Sequence, residues 1–187
     1  MNQNIIDSLK AFDWQKIIDY ANSLDDLNDA QLRFVKGLAI ELAIEQLSNT
    51  DLTYVGLPHQ DYVWPSQGNI SVELKSVVSH KMYDRKGQIK NTLPGIRLSN
   101  SIGTNKTKTL DPTKISDLLL VVLQNGAFAV PKQTVISKAT HSGDGWYLEV
   151  DKTDLVELSG HVTKKEDYQT KLSESIKGAI KDSLSGI

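Results

Sequence analysis

Apolar positions in the first third of the chain recur at helical spacing. Over residues 4–23 they return every three or four positions, which predicts an amphipathic helix. A second helix is predicted from about residue 30 to residue 47. Its segment LRFVKGLAIELAIEQL is apolar on most sides, but Glu41 and Glu45 stand four positions apart and therefore share one face of the helix.

After the second helix the pattern changes to that of short strands. In GNISVELKS, residues 68–76, the apolar side chains Ile70, Val72 and Leu74 alternate with polar ones, which is typical of a strand with one buried face. The letters PSQGN at residues 65–69 are turn formers. The strands on either side of this turn are therefore predicted to form a hairpin.

The most apolar run of the chain lies in its second half. Residues 118–123 predict a buried central strand, and an Asn125-Gly126 turn leads into a partner strand at residues 127–130. Further elements are predicted as strands near residues 146–150 and 155–158 and as a C-terminal helix over residues 164–185.

Helices, then strands, then a helix indicate an α/β (α+β) domain with a central mixed β-sheet flanked by helices. With 187 residues, of which 39% are apolar, the chain is long enough for one ordinary hydrophobic core. We therefore expect a single domain. Its parts are a helical N-terminal part at residues 1–48, a hairpin and sheet core at residues 52–160 and the C-terminal helix at residues 164–185.

Composition excludes several classes of site. The chain has no cysteine, so it has no disulfide framework, no thiolate metal ligand and no cysteine nucleophile, which fits a reducing compartment. Its N-terminus lacks a basic segment followed by an apolar one, and no apolar run approaches the roughly 20 residues of a spanning helix. We therefore expect a cytoplasmic protein without a signal peptide or membrane contact.

Charge is segregated along the chain, although the formal net charge is only -2. Residues 81–108 contain seven basic residues and one acidic residue, and their weak periodicity predicts mostly loop. Lysine and arginine on a loop neutralise DNA phosphates, while arginine, asparagine and glutamine can read base edges. The candidate DNA contacts are Lys81, Arg85, Lys86, Gln88, Lys90, Asn91, Arg97, Asn100, Asn105, Lys106 and Lys108.

The hairpin predicted around residue 67 carries the candidate chemistry. Alternate side chains of a strand share a face, so Glu73 and Lys75 project together, away from the buried face. If the turn is centred on Gln67, symmetric pairing places Asp61 opposite Glu73, where like charges are destabilising without a compensating cation. Two carboxylates that converge from adjacent strands form the kind of oxygen site that Mg²⁺ occupies.

Asp61 followed by Glu73-Leu74-Lys75 resembles the D…(D/E)xK signature of the PD-(D/E)xK nucleases, a family that includes many type II restriction endonucleases. The resemblance covers roughly residues 30–125 and implies a restriction-endonuclease-like core. It implies that Asp61 and Glu73 hold Mg²⁺, or Mn²⁺ as a substitute, and that Lys75 is catalytic.

The family layout also implies a catalytic glutamate on the helix before the hairpin. In this chain that residue is Glu45 or, as the second choice, Glu41. One feature departs from the signature: the proline that gives the family its name is not beside Asp61, because the closest one, Pro58, lies three positions before it. Asp51 is therefore an alternative first metal ligand.

The tripeptide by itself carries little information. The chain contains two matches to the pattern of an acidic residue, any residue and lysine, beginning at Glu73 and at Asp84, and chance alone produces as many in a chain with 23 acidic residues. The first match lies in a strand with regular alternation of apolar and polar residues, and the predicted strand before it carries Asp61. The second match lies in a polar, loop-like stretch. The alternative interpretation of the first is a solvated pair of Glu73 and Lys75 on an exposed strand face.

The resemblance implies a type II restriction endonuclease that hydrolyses double-stranded DNA at a short sequence with Mg²⁺, as a homodimer whose symmetry matches a palindromic site. One alternative keeps the site and changes the role to that of a repair or structure-selective nuclease. The other alternative is a non-catalytic DNA-binding or interaction domain in which Glu73 and Lys75 form only a surface pair.

Overall fold

The computed structural model describes residues 2–24, 32–48, 50–77, 80–98, 102–104, 109–143 and 145–159. The helices within these ranges are α1 (Gln3–Lys10), α2 (Trp14–Ser23), α3 (Leu32–Leu47) and α4 (Lys132–Lys138). None of these described helices is long and apolar enough to cross a membrane. The predicted C-terminal helix, residues 164–185, lies outside the described residues.

The single helix predicted over residues 4–23 is wrong, because the chain turns a corner between α1 and α2. The carboxylate of Asp13 caps α2 by accepting a hydrogen bond from the Lys16 N–H at 3.3 Å, which favours a helix start at this point. The indole N–H of Trp14 donates to the carbonyl of Leu9 at 2.7 Å and ties the two helices together. Both helices bury apolar side chains in the same core, so the apolar spacing looks continuous across the break.

The strands are β1 (Thr53–Leu57), β2 (Gln60–Trp64), β3 (Ile70–Val77), β4 (Thr92–Arg97), β5 (Gly103–Thr104), β6 (Thr109–Leu110), β7 (Leu118–Leu123), β8 (Gly126–Pro131), β9 (Ala139–Ser142), β10 (Gly145–Asp151) and β11 (Val156–Glu157). The main sheet has six strands in the order β1-β2-β3-β7-β8-β11. Its β3–β7 pair is parallel and its other pairs are antiparallel. The described part of the protein is thus mixed α/β around a mixed sheet, as predicted.

A second sheet was not predicted from the sequence. It has the strand order β4-β10-β9, and β4 comes from the basic segment that was predicted as mostly loop. The β4 sequence TLPGIR contains proline and glycine, which weaken a strand pattern but are tolerated on an edge strand such as this one. Its pairing with β10, which is remote in sequence, stabilises it.

Different layers cover the two faces of the main sheet. Every residue of β7 is buried, so this strand contributes to both faces, which explains its unbroken apolar run. Leu118, Leu120 and Val122 pack in one core with α1, α2 and α3. The intervening residues of β7 pack in a second core with β4, β10 and α4. Helices α1, α2 and α3 therefore cover one face of the main sheet. The other face is covered by α4 and by the sheet of β4 and β10, and β4 comes from the chain between β3 and β7.

Asp117 ties the start of β3 to the start of β7. Its carboxylate accepts hydrogen bonds from the N–H and the hydroxyl of Ser71, each at 2.9 Å, and its own N–H donates to the Ser71 hydroxyl at 2.9 Å. Because hydrogen bonds to a charged acceptor are the stronger ones, Asp117→Ala is expected to lower the free energy of unfolding by about 1–2 kcal/mol in urea titrations. Glu149→Ala, at another exposed carboxylate, is the control. Equal effects of the two substitutions would contradict this role of Asp117.

Candidate active site

The β2–β3 hairpin brings Asp61 and Glu73 to facing positions. The observed partners are Tyr62 with Val72, Val63 with Ser71 and Trp64 with Ile70. This register is centred on Gln67, as predicted, and its continuation places Asp61 opposite Glu73. Asp61 also joins the strands through its side chain, since its Oδ2 accepts a hydrogen bond from the Leu74 N–H at 2.6 Å.

Glu73 and Lys75 form an ion pair on the face that points away from α1–α3. The Lys75 ammonium contacts Oε1 of Glu73, and the Lys75 and Glu73 side chains are only 26% and 14% exposed. The pair is thus partly buried, which disfavours the alternative of a solvated pair on an exposed strand face. Oε2 of Glu73 is buried and has no hydrogen-bond partner among the described residues. A buried carboxylate oxygen without a donor is costly, so this atom is suited to a cation or a water molecule.

The ion pair lies in a pocket between the main sheet and the segments that cover it. The cavity measures ≈ 30 Å³, which is room for about two water molecules. Besides Glu73 and Lys75, the polar residues that line it are His59, Lys114 and Ser116. Asp61 is not among the lining residues.

Asp61 is held in an environment that disfavours its charge. Burial and then the neighbouring charge of Glu73 raise the pKa of Asp61 to about 7, with a smaller contribution from Glu41. The hydrogen bond from Leu74 and the charge of Lys75 lower the pKa and oppose this shift. A carboxyl group whose pKa is raised by burial and by a second carboxylate is typical of functional sites.

The two candidate glutamates of α3 have different surroundings. The Glu45 carboxylate accepts a hydrogen bond from the Tyr54 N–H at 3.0 Å and so holds the start of β1. The hydroxyl of Tyr62 donates to the backbone carbonyl of Glu41 at 2.7 Å and positions that turn of α3 beside β2. Since the charge of Glu41 contributes to the raised pKa of Asp61, Glu41 lies within electrostatic reach of the carboxylate pair.

Asp51, the alternative first ligand, has a local structural role. Its two carboxylate oxygens accept hydrogen bonds from the N–H and the hydroxyl of Ser66, at 2.6 and 2.7 Å. These bonds hold the 3-10 turn at Pro65–Gln67, and the side-chain bond from Ser66 is the main cause that lowers the pKa of Asp51. Its oxygens are thus occupied in the turn, whereas Asp61 faces Glu73.

The donor set of Asp61 and Glu73 fits a hard divalent cation. No group of three or more histidine, aspartate or glutamate side chains within the described ranges is arranged to hold a metal ion. Asp61 and Glu73 would supply two carboxylate ligands. Mg²⁺ is commonly bound by one or two carboxylates, with water and substrate phosphate completing its octahedron. A cation here would satisfy the orphaned Oε2 of Glu73 and relieve the repulsion that raises the pKa of Asp61.

The candidate DNA contacts lie along the segment that follows β3. Those described as exposed are Lys81, Arg85, Lys86, Gln88, Asn91 and Arg97, and Lys90 is half-buried. Asn100, Asn105, Lys106 and Lys108 lie outside the described residues. Sequence analysis missed Lys114, which lines the pocket 39 positions after Lys75. No local pattern marks it, because it reaches the pocket only through the long connection between β3 and β7.

The comparison with known proteins finds no family model that matches the chain and no curated protein that is similar to it.

Proposed function

We propose that the protein is a Mg²⁺-dependent endonuclease with a restriction-endonuclease-like core, which hydrolyses phosphodiester bonds of double-stranded DNA at a short sequence. One observation carries the proposal: Asp61 and Glu73 face each other across the β2–β3 hairpin, and the Lys75 ammonium contacts Glu73 at a pocket. Two carboxylates and a lysine in this arrangement suit the hydrolysis of an anionic ester.

The order of the elements supports the same proposal. Helix α3 precedes the hairpin, and the buried strand β7 follows it in the same sheet, parallel to β3. This is the layout that the resemblance to the PD-(D/E)xK nucleases implies. Tight packing of β7 against β3 places Glu73 and Lys75 on a rigid central strand, and rigid support is what a catalytic constellation needs.

The chemistry divides among three side chains. Asp61 and Glu73 would hold the cation, which when bound polarises the phosphate and lowers the pKa of a bound water molecule. Lys75 is held at the pocket by its ion pair with Glu73. From there its ammonium donates hydrogen bonds to a phosphate oxygen, where negative charge develops in the transition state, or orients the attacking water.

DNA binding and assembly complete the proposal. Exposed lysine and arginine side chains after β3 neutralise phosphates in a salt-dependent manner. We propose a cytoplasmic homodimer, because two-fold symmetry pairs the two active sites with a palindromic sequence. The burial of Glu73 and Lys75 favours catalysis over the alternative of a non-catalytic binding domain.

Incubation of the purified protein with plasmid DNA and Mg²⁺ tests the proposal. We expect discrete fragments with one sequence at their ends, and none when EDTA replaces Mg²⁺. Cleavage without a fixed sequence, or only at branched or damaged DNA, would instead indicate a repair or structure-selective nuclease. A protein that cleaves no DNA with Mg²⁺ or Mn²⁺ would exclude a nuclease.

The two glutamates of α3 give a matched pair of variants. Because Glu41 is in electrostatic reach of Asp61 and Glu45 is engaged with Tyr54, we expect Glu41→Gln to lower the cleavage rate about 10-fold. Glu45→Gln keeps an amide oxygen that can accept the Tyr54 N–H, so its cleavage rate should change much less. Single-turnover rates at saturating Mg²⁺ decide this, and the reverse order would show that Glu45 has the catalytic role.

A further inference from the structure

The segment that follows β3 contains an ordered hairpin rather than an open loop. Tyr83 pairs with Ile89 in an antiparallel bridge, and the Lys90 N–H donates to the Met82 carbonyl at 3.0 Å. We call residues 82–90 the basic hairpin. It carries the second match to the acidic-x-lysine pattern, at Asp84, which the sequence placed in a loop.

The tip of the basic hairpin has a fixed backbone. The Asp84 N–H donates to the Gln88 carbonyl at 2.8 Å, and the Gly87 N–H donates to the Asp84 carbonyl at 3.1 Å. Oδ1 of Asp84 also accepts the N–H groups of Lys86 and Gln88, at 2.8 and 2.9 Å. Gly87 has a φ of 73°, a left-handed conformation that glycine adopts without strain. Asp84 thus has a structural role in the turn.

The base of the basic hairpin is anchored in the core. Met82 and Tyr83 are 0% and 3% exposed, and they belong to the core that includes the residues of β7 on the Lys75 side of the sheet. Oδ1 of Asn125, in the β7–β8 turn, accepts the N–H groups of Met82 and Tyr83, at 2.8 and 3.3 Å. The Tyr83 hydroxyl donates to Glu157 and to the Ser159 carbonyl. The base of the basic hairpin is therefore tied to the core.

Side chains at the tip are left for a partner. Arg85, Lys86 and Gln88 are exposed, and the side chains of Arg85 and Gln88 make no hydrogen bond or ion pair within the described part of the chain. Oδ1 of the Asp84 carboxylate is occupied by the turn. The tip thus presents a guanidinium and a side-chain amide, which are the groups that pair with guanine and adenine edges in the major groove.

The basic hairpin follows, along the chain, the strand that carries Glu73 and Lys75. It begins shortly after Val77, the last residue of β3, and Val77 lies about 13 Å along the strand from Glu73 at the usual rise per residue. A major groove is about 12 Å wide and admits a two-stranded β-ribbon. A two-stranded element that follows the strand of Glu73 and Lys75 is thus a candidate for a groove contact.

We propose that the basic hairpin enters the major groove of double-stranded DNA and that Arg85 and Gln88 read base edges there. This inference rests on the proposed function for its substrate and adds to it the element that determines sequence specificity. The neighbouring cations Lys81, Lys86 and Lys90 contact phosphates and set the register of the hairpin on the duplex.

The variants Arg85→Ala and Gln88→Ala test this inference against Lys16→Ala. Lys16 is an exposed cation of α2 and has no place in the proposed site. Binding is measured by selection from random duplexes and by fluorescence anisotropy, with Ca²⁺ replacing Mg²⁺, and cleavage is measured by sequencing of fragment ends. We expect Arg85→Ala to lower affinity for the preferred sequence about 10- to 100-fold and to relax preference at one base pair, with affinity for unrelated DNA nearly unchanged. Lys16→Ala should bind and cleave as the wild type does.

The other possible results contradict the base-reading role of the basic hairpin, the nuclease activity, or both. If both variants cleave the wild-type sequence at the wild-type rate, the base-reading role is overturned while the nuclease stands. If affinity falls equally for all sequences and the salt dependence weakens by about one ion, the basic hairpin contacts only phosphates and the inference is also overturned. If the wild-type protein selects a sequence but never cleaves DNA, the proposed nuclease activity is contradicted. The base-reading role of the basic hairpin is then tested by the binding of the variants alone. A protein that binds no duplex overturns both.

Discussion

Replacement of Glu73 or Lys75 by alanine is expected to remove Mg²⁺-dependent cleavage while DNA binding is largely retained. Glu73→Ala deletes one of two proposed metal ligands, and Lys75→Ala deletes the cation that faces developing phosphate charge. Loss of one such preorganised electrostatic contact commonly costs roughly 10²- to 10³-fold in rate, and loss of a ligand from a two-ligand site should cost at least as much. Single-turnover cleavage of a short duplex measures the rate, and anisotropy measures the binding.

A matched control separates catalysis from folding. Lys114→Ala removes a lysine that also lines the pocket but is 47% exposed and paired with Asp111 at 3.8 Å. It should reduce cleavage far less than Lys75→Ala, because its ammonium does not contact Glu73. All three variants should show the cooperative unfolding of the wild type. Full cleavage activity in Glu73→Ala and Lys75→Ala would remove the site from consideration.

Asp61→Asn is expected to stabilise the protein at pH 8 and to change its stability little at pH 4. Folding raises the pKa of this carboxyl group from 3.8 to about 7. Between these values the folded state binds more protons than the unfolded state, so stability falls as the pH rises toward 7 and levels off above it. Asparagine does not titrate and can still accept the Leu74 N–H. After a discount for solvent screening, the difference between variant and wild type should reach roughly 2–3 kcal/mol at pH 8.

Urea titrations at pH 4, 6 and 8 measure this difference, with Asp13→Asn as the control because Asp13 is an exposed helix cap. Parallel pH curves for the wild type and Asp61→Asn would show that Asp61 has no raised pKa.

Mg²⁺ adds a second test at pH 8, where the site is ionised: the ion should stabilise the wild type and not Asp61→Asn. Equal stabilisation of both proteins would show that the ion binds elsewhere.

Local periodicity accounts for the parts of the site that could be predicted. The alternation around Val72 and Leu74 defines which face of β3 is buried, so it also defines where Glu73 and Lys75 project. The turn formers at residues 65–69 set the hairpin register, which places Asp61 opposite Glu73. Both features depend on neighbours within a few positions, and a strand or a two-strand turn is encoded at that range.

Contacts between remote segments explain what the sequence did not predict. The edge strand β4 has a weak strand pattern and forms because β10 pairs with it. The choice between Glu41 and Glu45 depends on which of them approaches Asp61 when α3 packs on the sheet. The conformation of the basic hairpin depends on Asn125, which lies more than forty positions further along the chain. The Asn125 side chain accepts hydrogen bonds from the base of the hairpin.

By itself, then, the sequence determined the mixed α/β class, the central strand and the facing positions of Asp61 and Glu73, because periodicity and turn chemistry act over short distances. Only the tertiary structure decided that Glu73 has a buried oxygen without a hydrogen-bond partner among the described residues and that burial raises the pKa of Asp61. Burial and charge at one atom depend on every layer packed around it. The pattern of polar and apolar residues along the chain does not specify the burial and charge at one atom, because these depend on contacts between remote segments.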